Sequence, residues 1–208
     1  TYYPTRDVSV SHCQFAGDGL GASFSGTDGV YLSDSVFSCA LVNIMFYGSL
    51  GTVERCVATH GVGQAVVAGN NSEVQLIDSE FNGWYTPLTV HSGSVVDASA
   101  CVFSGGIDHP TIKARSTSQM NIHGCHILNG GNFSVKLEYF FYQFIDQDMT
   151  GNYWGTTDTA QIDAWIWDGH DDAAIHSVVN YLPIADGPVS TEHATWGAVK
   201  ALFFTPTR

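Results

Sequence analysis

Three of the seven basic residues in this 208-residue chain fall in two copies of one short pattern, Ile112-Lys113-Ala114-Arg115 and Val135-Lys136-Leu137-Glu138. In a strand, alternate side chains face opposite sides. If Ile112, Ala114, Val135 and Leu137 face a core, then Lys113, Arg115, Lys136 and Glu138 face outward together. The same alternation puts Tyr47, after Phe46, and His91, after Val90, on that side. With strands about 4.8 Å apart and alternate residues about 6.6 Å apart, His91, Lys113, Arg115, Lys136 and Glu138 share a patch of roughly 15 by 7 Å.

Arg grips a carboxylate or sulfate bidentately, so this patch suits a uronic acid or a sulfated sugar. It also offers the parts of a β-elimination. Arg115 or Lys113 would neutralise the uronate, Lys136 or His91 would take the C5 proton, and Tyr47 would assist the leaving oxygen. A lysine serves as base only when burial or neighbours lower its pKa, and an outward strand position guarantees neither. Lys–Glu pairs on a solvated face also support strand stacking with no ligand at all. The candidate binding set is therefore Tyr47, His91, Lys113, Arg115, Lys136 and Glu138, and the catalytic candidates are Lys136, Arg115 and His91. A solvated face ranks first for such charges, a binding face second and catalysis third.

The rest of the composition sets this patch apart. Lys+Arg is 7 against Asp+Glu 20, a formal net charge of −13. Nucleic acid and anionic membrane both call for a basic footprint, so neither is an expected partner. No apolar run approaches the roughly 20 residues of a membrane helix. Twenty-two glycines, 44% apolar residues and 13% charged residues describe a turn-rich globular or solenoid protein, not a disordered one. The sequence opens on Thr1-Tyr2-Tyr3, with neither an initiator Met nor a charged-then-apolar run, and is expected to be a mature or excised segment. Cys13, Cys39, Cys56, Cys101 and Cys125 make an odd count with no CxxC pair, which excludes a zinc ribbon or thioredoxin-type motif. Buried thiols are the expected state, with a Cys101–Cys125 disulfide as the alternative.

What must position the patch is a repeat. A small residue, any residue, then usually an aromatic or aliphatic one recurs at Cys13-Gln14-Phe15, Ser35-Val36-Phe37, Cys56-Val57-Ala58, Ser79-Glu80-Phe81, Cys101-Val102-Phe103 and Cys125-His126-Ile127, in steps of 22, 21, 23, 22 and 24 residues. Alternating apolar pairs follow each anchor and precede most of them, the third repeat being weaker with Gly51 and Val53. The later pairs are Ala22/Phe24, Ile44/Phe46, Ala65/Val67, Leu88/Val90, Ile112/Ala114 and Val135/Leu137. That phase makes Val66 and Ala68 outward in the third repeat. Three strands per repeat, stacked so that like side chains align, make a solenoid in which each coil buries its neighbour's apolar face. The fold class is all-β: a single-stranded right-handed parallel β-helix of six to seven coils of about 22 residues, with a short C-terminal helix and strand cap.

This pattern resembles the right-handed parallel β-helix (pectin-lyase-like) superfamily over about residues 8–150. The stretch Asn152-Tyr153-Trp154-Gly155-Thr156, with Asp168-Gly169-His170-Asp171-Asp172 and Thr195-Trp196-Gly197 beyond it, is similar to the ending of secreted bacterial members. The resemblance implies a secreted or cell-surface location and says little about activity, since the superfamily hosts lyases, hydrolases, tailspikes, adhesins and non-catalytic modules. The acidic calcium cluster of many pectate lyases and the galacturonase-type paired acids have no match within the repeats.

The expected division is 1–150 β-helix, 151–185 cap and 186–208 tail or linker. Asp158 should cap a helix over 159–167 with Ile162, Trp165 and Ile166 on one stripe, ended by Gly169, and Val178–Leu182 should form a strand. The first coil should continue an upstream piece or pair with another chain. His123, Cys125 and His126 are close in sequence, but opposite phases keep them from one metal ion. Asp168, Asp171 and Asp172 are calcium candidates, and no other cofactor is implied. Trp84 and Tyr85 would stack on sugar or cover Val36, Val57 and Val102. The expected function is a largely non-catalytic extracellular module that binds polysaccharide. The alternatives are a lyase or hydrolase of acidic polysaccharide, and a structural spacer, adhesin or filament subunit self-associating end to end or joined to further domains.

Overall fold

The computed structural model describes residues 5–61, 63–83, 85–115, 117–138 and 145–188. Residues 1–4, Trp84 and the segment 195–203 singled out above lie outside the described residues, as does the tail beyond 188.

The first coil is β1 (Thr5–Ser11), β2 (Gln14–Gly17) and β3 (Leu20–Ser25), and the second is β4 (Thr27–Ser33), β5 (Val36–Cys39) and β6 (Val42–Tyr47). The third is β7 (Leu50–Glu54), β8 (Val57–Gly61) and β9 (Gln64–Gly69), and the fourth is β10 (Glu73–Ile77), β11 (Glu80–Gly83) and β12 (Leu88–Val90). Then come β13 (Val95–Ser99), β14 (Val102–Gly105) and β15 (Ile112–Arg115), followed by β16 (Gln119–His123), β17 (His126–Asn129) and β18 (Val135–Glu138). A last, irregular turn holds β19 (Gln147–Asp148), α1 (Thr159–Ala164), β20 (Ile166–Trp167) and β21 (Val179–Asn180).

First strands of successive coils form an eight-stranded sheet A, second strands a six-stranded sheet B and third strands a seven-stranded sheet C, with every pairing parallel. The molecule is a parallel β-helix. Its core is a set of columns running along the axis. Phe15 stacks on Phe37 with centroids 4.7 Å apart and planes 1° from parallel, and Phe81 stacks on Phe103 at 5.4 Å. A second column pairs Phe24 with Phe46 at 5.5 Å. Gly51 stands where the repeat calls for an apolar side chain. A Cβ there would lie 3.1 Å from both Phe46 Cζ and Val30 Cβ, so the Phe46 ring already fills that space.

The small anchor residues form more than a packed column. At the corner from sheet A to sheet B, His12, Asp34, Arg55, Asp78, Ala100, Gly124 and Gly151 all take left-handed φ values, between 43° and 73°. The residue after each is a rung, and four of these rungs accept through the side chain the backbone N–H of the preceding one. Cys13 N donates to Ser35 Oγ (3.1 Å), Cys56 N to Ser79 Oγ (3.0 Å), Cys101 N to Cys125 Sγ (3.3 Å) and Cys125 N to Asn152 Oδ1 (2.8 Å). The hydroxyl and thiol rungs donate in turn to the carbonyl two residues back, as from Ser35 to Ser33 O at 2.7 Å. Gly151-Asn152 of the terminal motif is thus a seventh rung. A second ladder of Thr27, Ser49, Ser72, Ser94 and Ser118, all buried, lines the corner from sheet C back to sheet A. Its links include Ser49 N to Ser72 Oγ at 3.2 Å and Ser72 N to Ser94 Oγ at 3.1 Å. All five cysteines are free thiols.

Among the described residues the corner from sheet B to sheet C has no such ladder, and it varies in length. It spans two residues in the first three coils, then four, six and five. In the third coil the register of β8 against β11 shifts between Phe81 and Gly83, so that Gly83 pairs with Gly61. That extra residue corrects the expected phase. Val66 and Ala68, not Ala65 and Val67, align with Ile44 and Phe46 on one side and with Leu88 and Val90 on the other. Val67 joins the outward column of Met45 and Thr89, and Gly69 pairs with Tyr47.

At the far end, Asp158 caps α1 by accepting the N–H of Ala160 (3.0 Å) and Gln161 (3.3 Å). The helix is shorter than expected and stops at Ala164, with Trp165 as its C-cap, because Ile166 and Trp167 extend sheet C by pairing with Val135 and Lys136. The expected strand at 178–182 is only β21, which pairs with β19. Trp154, Ile162, Ile175 and Val179 are buried at this end, whereas Val10, Phe15, Ala22 and Phe24 of the first coil are only half-buried. Among the described residues no helix is long and apolar enough to cross a membrane.

Candidate binding face on sheet C

The outward residues of sheet C align in two columns. One runs Met45, Val67, Thr89, Lys113, Lys136, Trp167. The other holds Tyr47 paired with Gly69, and Arg115 paired with Glu138. His91 directly follows Val90, the partner of both Ala68 and Ala114, which sets it level with Gly69 and Arg115. The structure thus brings all six candidate residues onto one face. It adds Gly69, which the slipped phase had hidden. A Cβ on Gly69 would lie 2.8 Å from His91 Nε2, so the missing side chain leaves the bay in which the imidazole lies.

The charges are tied together by one carboxylate. Glu138 contacts Arg115 Nε through one oxygen and lies 3.5 Å from Lys113 Nζ through the other. The Lys113 side chain is only 10% exposed and that of Arg115 is 49% exposed. Burial alone would raise the Glu138 pKa, but the hydrogen bond from Arg115 and the charges of Lys113, Arg115 and Lys136 hold it below the ordinary carboxylate value. Burial pulls Lys113 below the ordinary lysine value, with Glu138 opposing and the neighbouring cations assisting. Burial and the Arg115 and Lys113 charges also lower the His91 pKa, which favours the neutral ring. His91 Nδ1 lies 3.0 Å from Ser92 Oγ.

Aromatic rings border this face along the variable corner. Lys136 Nζ lies 5.9 Å from the Phe133 ring centroid, within cation–π range. Phe133 meets Trp167 edge to face at 5.7 Å. Tyr85 packs against His109 with the rings tilted by 34° and centroids 3.6 Å apart, and remains 39% exposed. Phe133, His109 and Trp167 did not stand out in the sequence. The signal for Phe133 and His109 was the lengthening spacer before each third strand, because insertions in a solenoid gather on one face, whereas Trp167 comes from β20.

The remaining candidates serve the fold. Asp168 is buried and accepts the N–H of His170 and Val179, each at 2.8 Å. Asp171 accepts Asp168 N (3.2 Å) and Asp172 accepts Ala174 N (2.9 Å). Each carboxylate thus holds a turn. Among the described residues no group of three or more His, Cys, Asp or Glu side chains is placed to hold a metal ion. A shallow trough of about 340 Å³ on the outside of sheet A is bordered by Leu50, Thr52, Glu73, Gln75 and Asp97. In comparisons with known proteins, the chain matches no family model, no curated protein and no solved structure.

Proposed function

We propose that this chain is a non-catalytic β-solenoid module of a secreted or cell-surface protein, and that it holds carboxylate-bearing polysaccharide along the outer face of sheet C. One observation carries the reading. The cation row of an otherwise acidic protein coincides with the sheet edge along which the corners lengthen and present aromatic rings. Sugar recognition draws on both parts, since aromatic faces cover apolar ring faces while Arg and Lys hold carboxylates. The coil rise of about 4.8 Å is close to a sugar unit's length, so successive coils can meet successive units. The β-helix architecture and the NYWGT-type ending support a place near the secreted pectin-lyase-like proteins.

The test is retardation in native gels cast with polygalacturonate, alginate or a neutral glucan. Retardation by a polyuronate, weakened in Lys136→Ala and absent with the glucan, is the expected result. Migration unaffected by every acidic polymer would sink the proposal.

A catalytic reading draws on His91, whose lowered pKa suits a proton acceptor at neutral pH. It requires unsaturated product absorbing in the near ultraviolet, lost in His91→Ala.

A further inference from the structure

Glu138 is the one outward carboxylate in the cation row, and it holds both Lys113 and Arg115. It sits one coil along from Arg115 and one residue past Leu137, the inward neighbour of Lys136. The set Lys113, Arg115, Lys136 and Glu138 carries a formal charge of +2, from three cations and one carboxylate. Without Glu138 the same set would carry +3. Resting on the binding reading above, we propose that Glu138 is a built-in competitor: its carboxylate occupies Arg115 and Lys113 in the empty face, and a uronate carboxylate of the polysaccharide replaces it on Arg115.

The two cations are unequal in a way that fits this exchange. Lys113 is enclosed, with a side chain 10% exposed, and stays with Glu138. Arg115, at 49% exposed, keeps much of its guanidinium in solvent and can turn to an incoming group without disturbing the sheet. An exposed ion pair contributes little to stability, so giving up the Arg115–Glu138 contact costs little beyond reorganisation. The carboxylate also sets selectivity. A ligand must match one carboxylate per Arg, and a densely sulfated chain gains less because Glu138 repels each additional anion from the row.

The experiment compares wild type, Glu138→Gln and Glu138→Ala in gels cast with polygalacturonate or dextran sulfate. Glu80→Gln serves as the charge control, since it removes one negative charge from sheet B, away from this face. Thermal midpoints establish that each variant is folded. Glu138→Gln and Glu138→Ala should both bind polygalacturonate about fourfold more tightly than wild type, the effect of one charge at about 5 Å in water. Dextran sulfate binding should rise by more, and Glu80→Gln should match wild type. Both gains should shrink at high salt. Retardation of the Glu138 variants alone, with wild type passing freely, overturns the inference, because in wild type no uronate then replaces Glu138 on Arg115. If wild type binds and the Glu138 variants bind equally or more weakly, the competitor role is overturned and the binding face stands. If no form binds either polymer, both proposals fail.

Discussion

Ser79 offers a direct test of the corner ladder. Its Oγ accepts Cys56 N–H at 3.0 Å and donates to Ile77 O at 2.8 Å, and the residue is fully buried. Ser79→Ala removes only one oxygen, so a packing argument alone predicts a small change. The lost hydrogen bond makes it larger. Cys56 N–H would lose its partner inside the core, at about 1–3 kcal/mol for an unsatisfied buried donor. Ser79→Cys keeps a side chain in the acceptor position, and cysteine already serves as a rung at 56, 101 and 125, so it should cost less than about 1 kcal/mol. The assay is equilibrium urea unfolding of the three proteins, with slopes compared to detect coils unfolding separately. Ser79→Ala should be destabilised by about 2 kcal/mol and Ser79→Cys by at most half of that. Equal midpoints for Ala and wild type, or a larger loss for Cys than for Ala, would refute the ladder's energetic role.

Other expectations follow from the same geometry. Phe81→Ala empties a fully buried site in the aromatic column and should cost about 3–5 kcal/mol by urea titration. Ala100 pays about 1–2 kcal/mol for its left-handed conformation, against about 0.5–1 kcal/mol of extra backbone entropy for glycine, so Ala100→Gly should raise stability slightly. Thiol titration of the native protein should find Cys13 reactive and Cys56 silent, because burial pushes the Cys56 thiol up to about 12 and Cys13 is half-exposed; reductant should leave the thermal midpoint unchanged. The Asp34 pKa is lowered chiefly by its hydrogen bond from Arg55, at 2.8 Å. That pair's stabilisation is present above the ordinary Asp value and is lost as pH falls through the lowered one, so Asp34→Asn should flatten the acid limb of stability against pH.

The architecture was legible because stacking keeps side-chain type constant at fixed phase. The anchors at 13, 35, 56, 79, 101 and 125 all became rungs. Their chemistry was less legible. Cysteine, serine and Asn152 look dissimilar as residues and become equivalent only as acceptors of a neighbouring N–H. The left-handed residues before them were hidden for a related reason. Asp34 and Gly124 fit that conformation by type, but Arg55 and Ala100 do not, and the ladder imposes it on them. The second ladder's serines read as ordinary turn residues. In the third coil one extra residue in β8 reversed the reading of β9, and since Ala65, Val66, Val67 and Ala68 are all small and apolar, nothing in their types betrayed the slip. Alternation alone put Lys113, Arg115 and Lys136 on one side of sheet C, while the pairing of Glu138 with two of them depends on side-chain reach that spacing does not encode.

That slip has a consequence for how such a chain can change. The extra residue altered the facing of β9, yet β10 begins in step, because the serine corner behind it starts the count afresh. Each coil is therefore read from its own corner rather than from the chain's beginning. Length errors at the corner from sheet B to sheet C stay within one coil, and a lineage can lengthen or shorten that edge without rewriting the other two. The edge beside the proposed binding face is the one whose length is free to drift.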